Sequence, residues 1–292
     1  MTECRATIDQ ASQGIGTFYV ACRRLDAPGQ YNLRDEDVVP IASMFKTLLA
    51  LEVAEAFAKG TLRPETQVEV TPEQHTPGGL GLNQFSYPAT VTLKDLLYLS
   101  LAWSDNTASD VLLALVGLDA LHSRAETLGL ETVRVVGDCR TLLRNAGEDF
   151  GYLSEAAAAE AEWVPTFDTA DLVLERTTRA SVGDLAQLGK LLALGRAASP
   201  QACAFVSELM QRQIWTYRFA RSFPSSQWTR ASKTGTLSPW RGELGVVTRR
   251  DGAQVAIAVV VRQHSASTVD EVVDSAVSAV ASNAVELALA AG

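Results

Sequence analysis

Strand-forming segments stand at both ends of this 292-residue chain, and helix-forming segments fill its middle. Near the start, Thr17, Phe18, Tyr19, Val20 and Ala21 follow Gly14 and Gly16, which predicts a strand from Gly16 to Cys22. Near the end, Trp228 to Thr236, Gly242 to Thr248 and Gln254 to Val261 read as three more. The last two are joined by Arg250-Asp251-Gly252, a hairpin signal. Strands must pair, so the N-terminal one has to find its partners at the far end of the chain. The simplest solution is one antiparallel sheet built from both termini, flanked by helices, with an all-helical domain inserted between them. This predicts a mixed α/β (α+β) fold: residues 1–42 and 205–292 form a discontinuous α/β domain, residues 43–204 a helical one, and a cleft lies between the two.

The middle is punctuated clearly. A short strand near Val38 and Val39 is closed by Pro40, and helical spacing runs from Met44 to Lys59, ended by Gly60. Pro72 to Pro88, rich in Gly, Pro and Asn, reads as loop. Thr92 with Asp95 forms a capping box that opens a helix. Thr107 to Val116 is predicted helical and, being wholly apolar from Val111 onward, buried. Ala156 to Ala161, Ser181 to Leu194 and Ser267 to Ala291 are the remaining helical segments, and no internal repeat is visible.

Hydrophobic residues make up 47% of the chain, enough for a large core. With 25 Lys and Arg against 34 Asp and Glu, the net charge is −9. That argues against a nucleic-acid partner, which needs a basic footprint, and against docking on anionic lipid. The β-rich apolar run Val255 to Val261 is far too short to span a membrane. The start, Met-Thr-Glu-Cys-Arg, has no apolar core of a secretory signal. The chain as it begins is therefore expected in the cytoplasm, although a secreted protein trimmed of its leader would read the same. Cys4, Cys22, Cys139 and Cys203 have no CxxC spacing, and His75, His122 and His264 no HxxxH spacing. No metal, no cofactor and no histidine triad is expected, and the chain is expected to act as a monomer.

Three short boxes carry the chemistry. Ser43-Met44-Phe45-Lys46 places a hydroxyl and an amine three residues apart where a helix begins, so both share one face. A serine needs a base to take its proton, and a lysine serves when burial, a helix N-terminus and a second cation favour its neutral form. Of the five lysines, only Lys46 has a serine three residues before it. Ser104-Asp105-Asn106 lies between two helices. Its bland reading is a turn with a helix cap. Its functional reading makes Ser104 a proton relay to the leaving group and Asn106 a donor to a substrate amide. Lys233-Thr234-Gly235-Thr236 sits on a strand. It is either an edge strand guarded by a lysine, or a backbone edge that pairs with an extended substrate. In the second case Lys233 supplies charge, Gly235 lets the substrate approach, and the N–H groups of Thr236 and Ser43 form an oxyanion hole.

Each box alone is modest, but the three in this order match the signature of class A β-lactamases and penicillin-binding proteins. The chain resembles that superfamily, most closely its class A branch. Thr92-Leu93-Lys94-Asp95-Leu96-Leu97 leading to Ser104-Asp105-Asn106-Thr107-Ala108 is similar to class A usage, as are Thr177-Thr178 and Asp184-Leu185-Ala186. The resemblance implies an α/β domain from both termini plus an all-helical domain. It implies Ser43 as the acylated nucleophile, Lys46 as its base partner, Ser104 and Asn106 lining the cleft, and Lys233, Thr234 and Thr236 holding the substrate. It also implies Arg241 as a carboxylate-binding arginine one strand over; a solvated surface arginine is the alternative.

The resemblance breaks between residues 137 and 175. Class A enzymes carry there a Glu with an Asn four residues on, and this Glu activates the water that frees the acyl-enzyme. Here Asp138 is followed by Leu142, and Glu160, Glu162, Asp168, Asp171 and Glu175 lack the pattern. Without a second base the acyl group should stay bound, unless one of these acids, such as Asp138, Glu160, Glu162, Asp168 or Glu175, serves instead. The expectation is a serine hydrolase forming a covalent acyl-enzyme with a small acyl substrate, a β-lactam, peptide amide or ester. The alternatives are a weakly catalytic or inactive binding or regulatory protein that keeps the cleft, and an acyltransferase.

Overall fold

A computed structural model describes residues 1–78, 80–151, 171–265 and 268–291. Helix α1 (Thr2–Gly14) leads into strands β1 (Gly16–Arg24) and β2 (Gln30–Leu33). Strand β3 (Val38–Pro40) precedes a 3-10 turn, Ala42–Phe45, and helix α2 (Lys46–Ala58). Strands β4 (Gln67–Val70) and β5 (Ala89–Thr92) bracket the glycine-rich loop. Helices α3 (Leu93–Tyr98), α4 (Asn106–Val116), α5 (Leu118–Thr127) and α6 (Cys139–Asp149) follow. Then come β6 (Arg179–Ser181), α7 (Val182–Ala193), α8 (Pro200–Gln211) and α9 (Phe219–Ser222). Strands β7 (Trp228–Leu237), β8 (Trp240–Arg249) and β9 (Gln254–Gln263) and helix α10 (Asp270–Ala290) close the chain.

The main sheet is antiparallel, in the order β2-β1-β9-β8-β7, so the two chain ends meet at the β1–β9 ladder, with Phe18 opposite Val261. Both faces are covered, which is why β9 reads as an unbroken apolar run from Val255 to Val261. On one face Phe18, Val20, Ile257 and Val259 pack with Val273, Val277 and Val280 of α10 and Ile8 of α1. On the other, Ala21, Leu244, Ala258 and Val260 join Leu185 and Leu188 of α7. The β8–β9 hairpin turns at Gly252, whose φ of +95° is in the region that favours glycine. Helix α10 is long and apolar enough to cross a membrane by composition, yet its Val273, Val277, Val280 and Val285 pack into the core against the sheet.

The sheet and its hairpin match the expected α/β layout. Helix α7, placed by its sequence position in residues 43–204, packs on β1, β8 and β9 instead. A Cβ on its Gly189 would stand 3.3 Å from the Gly245 carbonyl, so a glycine lets helix and sheet approach closely. Helix α4 is buried on one side only: Leu112 and Leu113 face the core, while Leu115 is 49% exposed. Helix α1 escaped the sequence reading because its apolar stripe is narrow: Ile8 alone along it is fully buried, with Cys4 and Ala11 packed partly beside it. Helix α8 did carry a signal, Ser199 capping Ala202 N–H with Pro200 in the first turn. The helix expected at Ala156–Ala161 lies outside the described residues.

Candidate active site

Ser43 sits in the 3-10 turn before α2, and Lys46 is the first residue of that helix. The turn rests directly on β7. A Cβ at Gly235 would stand 2.5 Å from the Ile41 carbonyl and 3.0 Å from Met44 Cγ. Gly235 is therefore required by the chain behind it: it lets the serine-bearing turn close on the strand.

Lys46 is fully buried. Its Nζ donates to the Ser104 carbonyl at 2.8 Å, to Asn106 Oδ1 at 2.7 Å and to the Asp105 carbonyl at 3.4 Å. From the opposite side Lys233 Nζ donates to Ser104 Oγ at 2.9 Å. Ser104 is thus held between two lysines from distant segments. It takes a left-handed conformation, φ 61°, uncommon for a residue with a Cβ and typical of functional turns. The turn of π-helix just before it, Leu99–Trp103, swings it into place.

Asp105 explains the middle of the second box. One carboxylate oxygen caps α4 at Ala108 N–H, 3.1 Å, and the other accepts Leu82 N–H at 2.8 Å. It therefore anchors the glycine-rich loop to the helix start. Asn106 gives one amide N–H to the Pro77 carbonyl at 2.7 Å and accepts from Lys46, so its amide is oriented by the protein on both sides. Thr234 is oriented by Gln213 Oε1, which accepts its N–H at 2.8 Å and its hydroxyl at 3.1 Å.

These groups line one cavity of about 210 Å³, where Ser43, Ser104, Asn106, Thr234 and Thr236 meet Gly78, Leu143 and the aromatic Trp103, Trp215 and Tyr217. A smaller extension of about 50 Å³ beside Ser43 is walled by Phe45, Cys139, Leu142, Leu143 and Leu237. Burial pushes the Cys139 thiol up to about 12, so it is no nucleophile at neutral pH.

The turn before α2, the segment before α4 and strand β7 thus bring the three boxes to one cavity. The sequence model of the beta-lactamase enzyme family matches residues 2–287. The chain belongs to the beta-lactamase enzyme family. It is 34% identical over 262 residues to the beta-lactamase regulatory protein BlaB of Streptomyces cacaoi, covering 84% of this chain and 83% of that one. Its fold is shared with a β-lactamase from Sphaerobacter thermophilus at TM-score 0.81 and 21% identity, over 99% and 98% of the two chains. It is shared also with PBP-A, at TM-score 0.78 and 19% identity, over 99% and 97%.

Lys46 and Lys233 reach this beta-lactamase-family site through Ser104, whereas the partners of Arg241 lie on α10 and β9. Arg241 is buried, donates to Gln263 Oε1 at 3.1 Å, pairs with Asp270, and lies 3.8 Å from Asp274. It is absent from the cavity wall. Its two acid partners stand on α10, distant in sequence. Arg218, which the sequence reading passed over, lies behind β7 instead. Completely buried, it donates to the Gly235 carbonyl at 2.9 Å, the Gly242 carbonyl at 2.6 Å and Thr236 Oγ1 at 2.7 Å, and it pairs with Asp274 at 2.7 Å. Nothing local marks it, because its partners come from two strands and the last helix.

The acids weighed for a second base are also placed. Asp138 is the N-cap of α6, accepting Thr141 N–H at 2.7 Å. Glu175 is exposed, and Asp171 accepts from Trp240 Nε1 and pairs with Arg262. Glu160, Glu162 and Asp168 lie outside the described residues. Among the described residues lining the two cavities there is no carboxylate.

Burial, with the nearby Lys46 charge adding to it, holds the Lys233 amine well below the ordinary lysine range, while Glu243 acts in the opposite direction. Lys233 is a cation below that lowered value and neutral above it. Capture of a carboxylate-bearing acyl compound should therefore weaken as pH rises, well before ordinary lysines titrate. Capture of an uncharged ester should lack this alkaline limb. Parallel pH profiles for the two compounds check this; superimposable profiles would show that Lys233 does not read the carboxylate.

Proposed function

We propose that the protein captures the carbonyl of a β-lactam or related acyl compound as a covalent ester on Ser43 and releases it slowly. It would act as a β-lactam-recognising protein more than as a fast hydrolase. The observation that carries this reading is the convergence of Lys46 and Lys233 on Ser104 at the cavity that holds Ser43. In this mechanism Ser43 Oγ attacks the carbonyl and its proton passes toward Lys46, one helical turn away. The Ser104 hydroxyl, hydrogen-bonded to Lys233, delivers a proton to the departing nitrogen or oxygen. The N–H groups of Ser43 and Thr236 are assigned to the developing oxyanion.

Slow release follows from the wall beside Ser43. Hydrolysis needs a positioned base and a water, and the described wall offers Cys139, Leu142 and Leu143. Two relatives support the reading. The Streptomyces cacaoi protein is named as a regulator of β-lactamase. A variant of PBP-A has been solved as an acyl-enzyme complex with penicillin-G.

The test is intact mass spectrometry after incubation with benzylpenicillin, beside nitrocefin turnover. One drug mass per chain, persisting after free drug is removed, is the expected result. Rapid nitrocefin turnover without an accumulating adduct would overturn slow release. The second reading, a cleft that binds reversibly, is favoured by the engagement of Lys46 with three oxygens. It would show as tight penicillin binding with no adduct, unchanged in Ser43→Ala.

A further inference from the structure

Three aromatic side chains line the cavity at its Ser104 end. Trp103 immediately precedes Ser104. Trp215 is fixed to it, its indole N–H donating to the Trp103 carbonyl at 3.2 Å, and Ile214 N–H donates to the Ala102 carbonyl at 3.1 Å. Tyr217 packs on Trp215 with ring centroids 5.8 Å apart and planes at 56°. It is steadied from behind by the Arg218 guanidinium, 5.2 Å from its ring. All three residues line the same cavity as Ser43 and Ser104. The indole Nε1 of Trp103 is buried and has no hydrogen-bond partner among the described residues. A donor left unpaired there costs stability.

Aromatic walls favour planar, polarisable groups, because ring faces and edges attract one another beyond simple burial. The proposed mechanism places the leaving atom at the Ser104 hydroxyl, so the rings flank the group that departs. We infer that this site prefers acyl compounds whose leaving group is aromatic, an aryl ester above all, and that Trp215 with Tyr217 determines that preference. The inference rests on the acyl-transfer reading above. The step balances without a co-reactant: Ser43 Oγ forms the new ester bond, the carbonyl–aryloxy bond breaks, and the proton given up by Ser43 leaves on the phenol.

The test compares two esters of one acyl group, para-chlorophenyl and hexafluoroisopropyl, whose leaving groups are similar in acidity, so that intrinsic reactivity cancels. The wild-type protein should be acylated faster by the aryl ester. Trp215→Ala should cut the aryl-over-alkyl ratio by about three- to tenfold, and Trp215→Phe should keep most of it. Tyr217→Leu, at the more exposed rim, provides a second variant should Trp215→Ala fail to fold, and should also lower the ratio. Equal rates for both esters in the wild type would overturn the inference, as would an equal slowing of both in the folded variants. Titrating the Ser43→Ala protein with the same esters, followed by tryptophan fluorescence, separates this from the parent reading. Tighter aryl binding there supports the aromatic site even if Ser43 is never acylated, whereas acylation without aryl preference removes the inference and leaves the parent reading intact.

Discussion

Replacing Ser43 with alanine is expected to abolish the penicillin adduct, and replacing Lys46 with methionine to slow its formation by about 10²- to 10⁴-fold, the usual worth of a general base. Methionine matches the lysine stem in length and keeps the buried volume filled, so the change is mainly the loss of one nitrogen. That nitrogen has a second duty. It donates to the Ser104 and Asp105 carbonyls and to Asn106 Oδ1, and a buried acceptor left unpaired costs about 1–3 kcal/mol. Lys46→Met should therefore lose stability as well as rate, and the two must be measured together. A variant that stays folded and is acylated at the wild-type rate would exclude Lys46 as the base. A variant that loses stability and all penicillin affinity would make Lys46 a cross-link of the cleft above all else.

The largest expected stability effect lies at Arg218. Its guanidinium joins the Gly235 and Gly242 carbonyls, Thr236 Oγ1 and the Asp274 carboxylate, with no exposure of its own. Arg218→Met removes four contacts and leaves Asp274 largely buried, 3.8 Å from Arg241. Breaking a buried pair from one side costs about 3–5 kcal/mol, read as a lower denaturation midpoint in urea. Replacing both partners, Arg218→Met with Asp274→Leu, should recover much of the loss, because the stranded charge goes too. Arg241→Met should cost less, since Asp270 on that pair is 73% exposed and screened by water. A loss below about 1 kcal/mol for Arg218→Met would place its guanidinium outside the support of β7.

The legible parts of this chain share one property: their determinants are close in sequence. Val255 to Val261 announces a strand covered on both faces, Arg250-Asp251-Gly252 announces the hairpin, and Thr92 caps α3 through Asp95 N–H, 3.2 Å. The interval from Ser43 to Lys46 sets the two about one helical turn apart, Ser43 in the 3-10 turn and Lys46 at the start of α2. The bringing together of all three boxes was legible only through their joint order. No local rule says that Lys233 will reach a serine 129 positions earlier. The surroundings of Arg241 were illegible for the same reason: its side chain pairs with Asp270 and lies near Asp274, which no spacing rule connects to it.

The sequence by itself determined strands β1, β3 and β7 to β9, the β8–β9 hairpin, the Thr92 cap, and the spacing of a hydroxyl and an amine at the start of α2. Those follow from propensity and from periodicities of two and of about 3.6 residues, which operate within a few residues of each other. The tertiary structure alone decided that Gly235 serves the Ile41 turn, that Arg218 supports β7 while Arg241 pairs with an acid of α10, that Leu142 and Leu143 wall the space beside Ser43, and that three aromatic residues line the cavity with Ser104. Each is a contact between remote segments, settled by which side chains fit and which charges find partners once the sheet and helices have packed.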